Sequence, residues 1–210
     1  MAGKSDTALG VEHAFLFDPA LGGMRDLGSL IPMSMLPGTP DPSRATSINN
    51  NGDVVGVSTA LDPSGNMVER AFLLPKLIPD PANPGGFLDN SGAFGINDQG
   101  LIIGTSDAGT DPSGNPLTGA AQFVNGSPPS ALLPLHSDGF DVGSSGHVVG
   151  SFGVPARGFV LHSTTGLVDL TAFAATPGMT IIGGTGVNAS RQVTALAEVS
   201  GSTVGVLITP

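Results

Sequence analysis

One segment of this chain is copied along it, and the copying restricts the fold more than any other feature. Ser47-Ile48-Asn49-Asn50-Asn51-Gly52-Asp53-Val54-Val55-Gly56 returns as Gly95-Ile96-Asn97-Asp98-Gln99-Gly100-Leu101-Ile102-Ile103-Gly104. It returns again as Asp141-Val142-Gly143-Ser144-Ser145-Gly146-His147-Val148-Val149-Gly150, and in degenerate form as Gly186-Val187-Asn188-Ala189-Ser190-Arg191-Gln192-Val193-Thr194-Ala195. The closing positions 56, 104, 150 and 195 lie 48, 46 and 45 residues apart, and Gly3 reads as a fifth closing glycine. Repetition at such a period marks a chain of supersecondary units that bury their faces against one another.

Each copy reads as a hairpin. An Asn at the first turn position with a Gly three residues later suits a type I turn closed by a left-handed residue, and the flanking runs are β-branched or aliphatic. We designate the flanking strands a and b. A third strand, c, follows as His13-Ala14-Phe15-Leu16-Phe17, Arg70-Ala71-Phe72-Leu73-Leu74, Ala120-Ala121-Gln122-Phe123-Val124, Arg157-Gly158-Phe159-Val160-Leu161 and Val204-Gly205-Val206-Leu207-Ile208. The small residue in second place is expected where a neighbouring sheet approaches closely. A d strand reads in Met24-Arg25-Asp26-Leu27 and Leu167-Val168-Asp169-Leu170, and more faintly near Leu77-Ile78 and Ala131-Leu135.

The count is four a, five b, five c and four d strands. This predicts one all-β repeat domain over 1–210, with units at approximately 1–43, 44–91, 92–138, 139–182 and 183–210. Four antiparallel strands per unit fit a five-repeat β-propeller of about five four-stranded blades, the first and last incomplete or shared. A β-solenoid and an open array of blades are the alternatives.

Composition agrees. Glycine (32) and proline (18) are turn-dense and break helices, and the longest helical window, Leu170–Ala175, runs into Pro177. Net charge is −10 with seven scattered basic residues, so no patch neutralises phosphates and nucleic acid is not an expected partner. No apolar run approaches the length of a membrane span. Cysteine is absent, which removes thiolate metal sites, disulfides and thiol catalysis. The start, MAGKSDTALG, has no apolar core of a signal peptide.

His13-Ala14-Phe15-Leu16, then Met24-Arg25-Asp26-Leu27-Gly28, then Ile48-Asn49-x-x-Gly52-x-Val54-Val55-Gly56 resemble the bacterial extracellular HAF repeat family. That unit reads HAFLW, G-x-M-x-DLG and S-x-A-x-x-IN-x-x-G-x-VVG. Phe17 departs from it where tryptophan is common, and Gly143 departs where Asn is expected. The resemblance implies secretion or surface exposure and no particular chemistry.

Candidate sites are few. The Asp62-Pro63-Ser64-Gly65-Asn66 and Asp111-Pro112-Ser113-Gly114-Asn115 loops offer oxygens for calcium through Asp62, Asn66, Asp111 and Asn115, but calcium takes six to eight ligands and Asp-Pro-x-Gly is an ordinary turn. No cofactor is expected beyond a structural calcium at these loops. Asn49, Asn97, Asp141 and Asn188, with Asp98, fall at the ends of a strands, where a ring would gather them at a channel mouth and make a ligand site. Asp141 stands out because its counterparts are Ser47, Gly95 and Gly186.

Among the histidines, His13 matches Arg70 and Arg157 and reads as a solvated strand position; His147 lies in a turn. No pair has helical metal-ligand spacing. Gly143-Ser144-Ser145-Gly146-His147 is not a G-x-S-x-G elbow, and a serine–His147 pair would need Asp138 or Asp141 to orient it. The leading expectation is a non-catalytic structural or binding domain whose partner is an unidentified small ligand or surface polymer. A glycosidase-like hydrolase using carboxylates such as Asp98 and Asp141 is the enzymatic alternative, weakened by the absence of tryptophan and tyrosine. A self-associating surface or fibre subunit, joined through incomplete blades, is the third.

Overall fold

The computed structural model describes residues 1–19, 22–30, 42–62, 64–74, 76–77, 90–110, 112–113, 116–123, 130–174 and 176–210. They form five antiparallel sheets, each built from strands consecutive in the chain. The first contains β1 (Ala2–Asp6), β2 (Glu12–Asp18) and β3 (Gly23–Gly28). The second contains β4 (Ser43–Ile48), β5 (Val54–Leu61), β6 (Met67–Leu73) and β7 (Lys76–Leu77). The third contains β8 (Gly92–Ile96), β9 (Ile102–Thr110), β10 (Pro116–Phe123) and β11 (Ser130–Leu135). The fourth contains β12 (Ser137–Val142), β13 (Val148–Phe152), β14 (Arg157–His162) and β15 (Gly166–Asp169). The fifth contains β16 (Thr180–Val187), β17 (Val193–Val199) and β18 (Ser202–Ile208). The a strand is missing from the first sheet and the d strand from the fifth, among the described residues. Every pairing among the described residues is antiparallel and local, unlike the parallel coils of a solenoid.

The turns follow the residues. Gly52, Gly100 and Gly146 take left-handed backbone at φ 85°, 77° and 80°. Their N–H groups donate to the carbonyls of Asn49, Asn97 and Gly143, closing each a–b hairpin. In the fifth sheet Arg191 fills this position at φ 62°, without the freedom of glycine. The helical window contains a single 3₁₀ turn, Leu170–Phe173, capped by the Asp169 carboxylate accepting from Thr171 N.

Each a–b pair also carries a bulge at a matched place: Ala45/Ser47, Ala93/Gly95, Gly139/Asp141 and Gly184/Gly186. The closing glycine explains itself there. A Cβ on Gly56, Gly104 or Gly150 would strike the carbonyl of Arg44, Gly92 or Asp138 across the hairpin. At Gly56 and Gly150 the rings of Phe72 and Phe159 also cover the glycine face. Only hydrogen fits.

The sheets stack in chain order. The b and c strands of one sheet pack on the a strand of the next: β1 and β2 on β4, β5 and β6 on β8, β9 and β10 on β12, β13 and β14 on β16. Buried apolar residues accordingly fall into four clusters, one per junction. Ala14, Ala45 and Phe72 hold the first junction, and Val149, Ile181 and Ala197 hold the last.

A serine repeats at three junctions. The N–H of Ala14 donates to Ser43 Oγ at 2.9 Å, that of Ala71 to Ser91 Oγ at 3.0 Å, and that of Ala120 to Ser137 Oγ at 2.9 Å. These bonds make Ala120, rather than Ala121, the counterpart of Ala14 and Ala71. The sequence alignment of the third c strand is therefore one residue out. Ala121 accordingly lies opposite Gly104 as Phe72 lies opposite Gly56.

Candidate functional site

The ends of β4, β8, β12 and β16 converge on a shallow recess of about 230 Å³, lined among others by Asn49, Asn97, Asp98, Asp141 and Val187. The fold thus brings together four of the polar residues singled out in the sequence. Asn188 lies one turn further on, exposed, with its amide nitrogen donating to Gln192 Oε1 at 2.7 Å.

Their hydrogen bonds define what these groups are used for. Asn49 Oδ1 accepts from the N–H groups of Asn51 and Asp53, fixing its own turn. Its Nδ2 crosses to the next sheet and donates to Asn97 O at 3.1 Å. Asn97 repeats the pattern, with Oδ1 accepting from Gln99 and Leu101 and Nδ2 donating to Gly143 O at 3.2 Å. Both asparagines are buried. One side chain shapes its hairpin and ties it to its neighbour, so the amides form a ladder from turn to turn.

Where Gly143 interrupts the ladder, Asp141 takes over. Its Oδ2 accepts from Val187 N at 2.9 Å. Ser47, at the matching position, accepts from Ile96 N at 3.4 Å. The oddity of Asp141 is thus a stronger version of a link made elsewhere by serine. Asp98 receives the N–H and side-chain amide of Asn50, each at 2.8 Å, and these bonds hold its carboxyl below the usual range. Both carboxylates of the recess are already occupied as acceptors.

His147 lies outside the recess lining. Its ring stacks on that of His162, with centroids 4.2 Å apart and planes 16° from parallel. Ser145 Oγ and His147 Nδ1 are 2.8 Å apart. Thr164 N donates to His162 Nδ1 at 3.2 Å, which leaves the His162 proton on Nε2, 3.1 Å from Ser145 O. Burial, then the nearby His162 and Arg191 charges, push His147 below the ordinary histidine value. The two carboxylates that could orient such a pair bond elsewhere: Asp141 accepts from Val187 N at 2.9 Å, and Asp138 accepts from Ser151 Oγ at 3.4 Å.

The Asp62 carboxylate is spent inside its own loop. Oδ1 accepts from Ser64 N and Asn66 N at 2.8 and 2.7 Å, and Oδ2 from the Asn66 amide at 2.8 Å. Those bonds lower its pKa and give the turn its shape. Asp111 and Asn115 lie outside the described residues.

His13 requires a correction. Its side chain is only 14% exposed, and Nδ1 lies 3.0 Å from Asp26, so it is a covered, paired position rather than a solvated one. The Asp26 Oδ1 also accepts from Gly28 N at 2.7 Å. The fourth sheet repeats this arrangement with Arg157 on Asp169 at 2.8 Å and Thr171 N on Asp169 Oδ1 at 2.9 Å. The basic residue opening strand c and the acid of strand d form one device, which pins the chain as it leaves the sheet. The signal was the recurrence of Asp26 and Asp169 one residue before a leucine, but only strand register shows that they meet the c strand.

These features define an all-β repeat protein of stacked antiparallel sheets with a hydrogen-bonded belt of turns. Comparison with family models, curated proteins and solved structures found no match.

Proposed function

We propose that this chain is a non-catalytic, extracellular repeat domain of the HAF type, its sheets arranged as the blades of a propeller and its variable loops presented to a ligand or surface polymer. One observation carries the reading: the polar groups gathered at the recess are consumed in holding turns together. Asn49, Asn97 and Asp141 each make a bond to the next sheet, and Asp98 is held by Asn50. A general acid for glycoside hydrolysis needs a raised pKa, whereas Asp98 is shifted the other way.

A screen of purified protein against glycoside, ester and peptide substrates is expected to find no turnover. Activity that survives purification and disappears in Asp98→Asn or Asp141→Asn would replace this reading with the hydrolase. Blade-like arrangement is supported by the a strands, which pack on one another from sheet to sheet as well as on the preceding b and c strands. Small-angle scattering checks it: a compact ring of this length has a radius of gyration of about 17 Å, and a markedly extended particle would refute closure. Secretion is tested by locating the protein in fractionated source cells, with the cytosol as the refuting compartment.

A further inference from the structure

The a–b turn of the fourth sheet departs from its neighbours at two positions at once. In the second sheet the amide of Asn49 donates to Asp53 Oδ2 at 2.9 Å, and in the fifth that of Asn188 donates to Gln192 Oε1 at 2.7 Å. Each of these turns is locked by a bond between its first and fifth residues. In the fourth sheet the first residue is Gly143, which has no side chain to offer, and the fifth is His147. His147 turns instead to Ser145, with Nδ1 2.8 Å from Oγ, and lays its ring on His162, with centroids 4.2 Å apart and planes 16° from parallel. An imidazole stack stands where the neighbouring turns use an amide.

The two rings answer a proton differently. The Ser145 hydroxyl both donates and accepts, so His147 keeps that bond with or without a proton on Nδ1. His162 has no such latitude. Its Nδ1 accepts from Thr164 N at 3.2 Å and its Nε2 donates to Ser145 O at 3.1 Å. A proton on Nδ1 would occupy the lone pair that receives the Thr164 N–H. Two charged rings in face contact would also repel. The stack accommodates one charge and not two.

The surroundings do not offset a second charge. The carboxylates of the same sheet bond elsewhere: Asp138 accepts from Ser151, Asp141 from Val187 N, and Asp169 from Arg157 and Thr171 N. The sequence of β13 contains no titratable side chain. The charge that acts on His147 from the fifth sheet is Arg191, of the same sign; burial first, then His162 and Arg191, hold His147 below its ordinary value. His147 is therefore neutral at neutral pH and gains its proton as the pH falls.

The turn held by this stack carries one strut of the belt. Gly146 N donates to Gly143 O at 2.9 Å, and the same carbonyl receives Asn97 Nδ2 from the third sheet at 3.2 Å. Gly143 and Ser144 also line the recess. We propose that the His147–His162 stack is a proton-operated latch on the belt of turns: with at most one ring charged it holds residues 143–147 closed, and with both charged it opens, loosening Gly143 from Asn97 and reshaping the rim of the recess. The latch is independent of what the recess binds.

The test is amide exchange on the whole protein, followed by NMR and expressed as protection, so that the slower intrinsic exchange in acid is divided out. Between about pH 8 and pH 5, Gly146 N–H and the Asn97 side-chain amide are expected to lose protection by about ten-fold or more. Gly52 and Gly100, whose turns are closed by the same backbone bond without a histidine, are expected to hold theirs. His147→Phe and His162→Phe each keep a ring in the stack and leave at most one charge in it, so either should abolish the acid loss at Gly146. Protection at Gly146 that is flat across this range would overturn the proposal. So would a loss shared equally by Gly52 and Gly100, or one that survives in either Phe variant. The wild-type profile with its two control turns decides the matter even where a variant fails to fold.

Discussion

Arg191 sits where three other turns have glycine, in a left-handed conformation that costs a side-chain-bearing residue about 1 kcal/mol. Arg191→Gly should therefore stabilise the protein by roughly that amount in denaturant titration. It should also raise the pKa of His147 by NMR titration, because one of the charges disfavouring its protonation is gone. For His147 the sign is that of a group whose folded pKa is depressed. Its contribution to stability is present above the unfolded histidine value and falls away as pH drops below about 6.5.

Asp138 runs oppositely. Burial raises its pKa, so the folded state binds its proton better than the unfolded state does. Asp138→Asn should raise the melting temperature at neutral pH, and the gain should vanish below about pH 4, where the native carboxyl is protonated in both states. Asp26 behaves in the ordinary acidic way, since its bond from His13 lowers its pKa. Asp26→Asn should cost below about 1 kcal/mol at neutral pH, as the Asp26 carboxylate is 57% exposed, and nothing near pH 2. Melting curves across pH separate the two.

At the scale of the strand, the junction serine and the closing glycine are the elements that make one sheet fit the next. Ser137 is almost wholly buried and receives the N–H of Ala120. Ser137→Ala leaves that donor without its partner and should cost about 1–3 kcal/mol. Gly150→Ala should be worse tolerated than Gly205→Ala. The first drives a methyl into Asp138 O and the Phe159 ring, whereas Gly205 has nothing within 4 Å. Equal midpoints for the two variants in urea would show that the bulge relaxes freely and would remove the steric account of the repeat glycine.

The hairpins were legible because their chemistry is local: Asn49 and Gly52 lie three residues apart and bond each other's backbone. The register of the third c strand was not, because Ala120 and Ala121 offer the same small residue at either alignment and only the bond to Ser137 distinguishes them. His13 and Asp26 were visible separately, and only their register makes them a pair.

At the scale of the whole molecule, the buried apolar side chains of the described residues fall into four clusters between consecutive sheets, so each sheet draws its packing from its neighbours as in other repeat proteins. Ile181 is buried in the last junction, with Val149 from the fourth sheet and Leu170 from the 3₁₀ turn that follows it. Ile181→Ala should cost about 2–5 kcal/mol. Hydrogen exchange should rise in the fourth and fifth sheets well before the first two; a uniform rise would mean that the stack unfolds as one unit. The outer face of the fifth sheet, where Leu207 is 61% and Leu196 43% exposed, continues the apolar pattern of a strand face that other sheets cover.

The residues alone determined an antiparallel all-β chain, its turns and its strand count, because alternation, β-branched runs and Asn-x-x-Gly spacing act over a few residues. Only the tertiary structure decided what the conspicuous polar groups are for. Asn49, Asn97 and Asp141 find their partners in the next sheet, some 46 to 48 residues away. A bond at that distance in sequence exists only once the sheets have stacked, so packing, rather than local propensity, turned candidate ligands into struts.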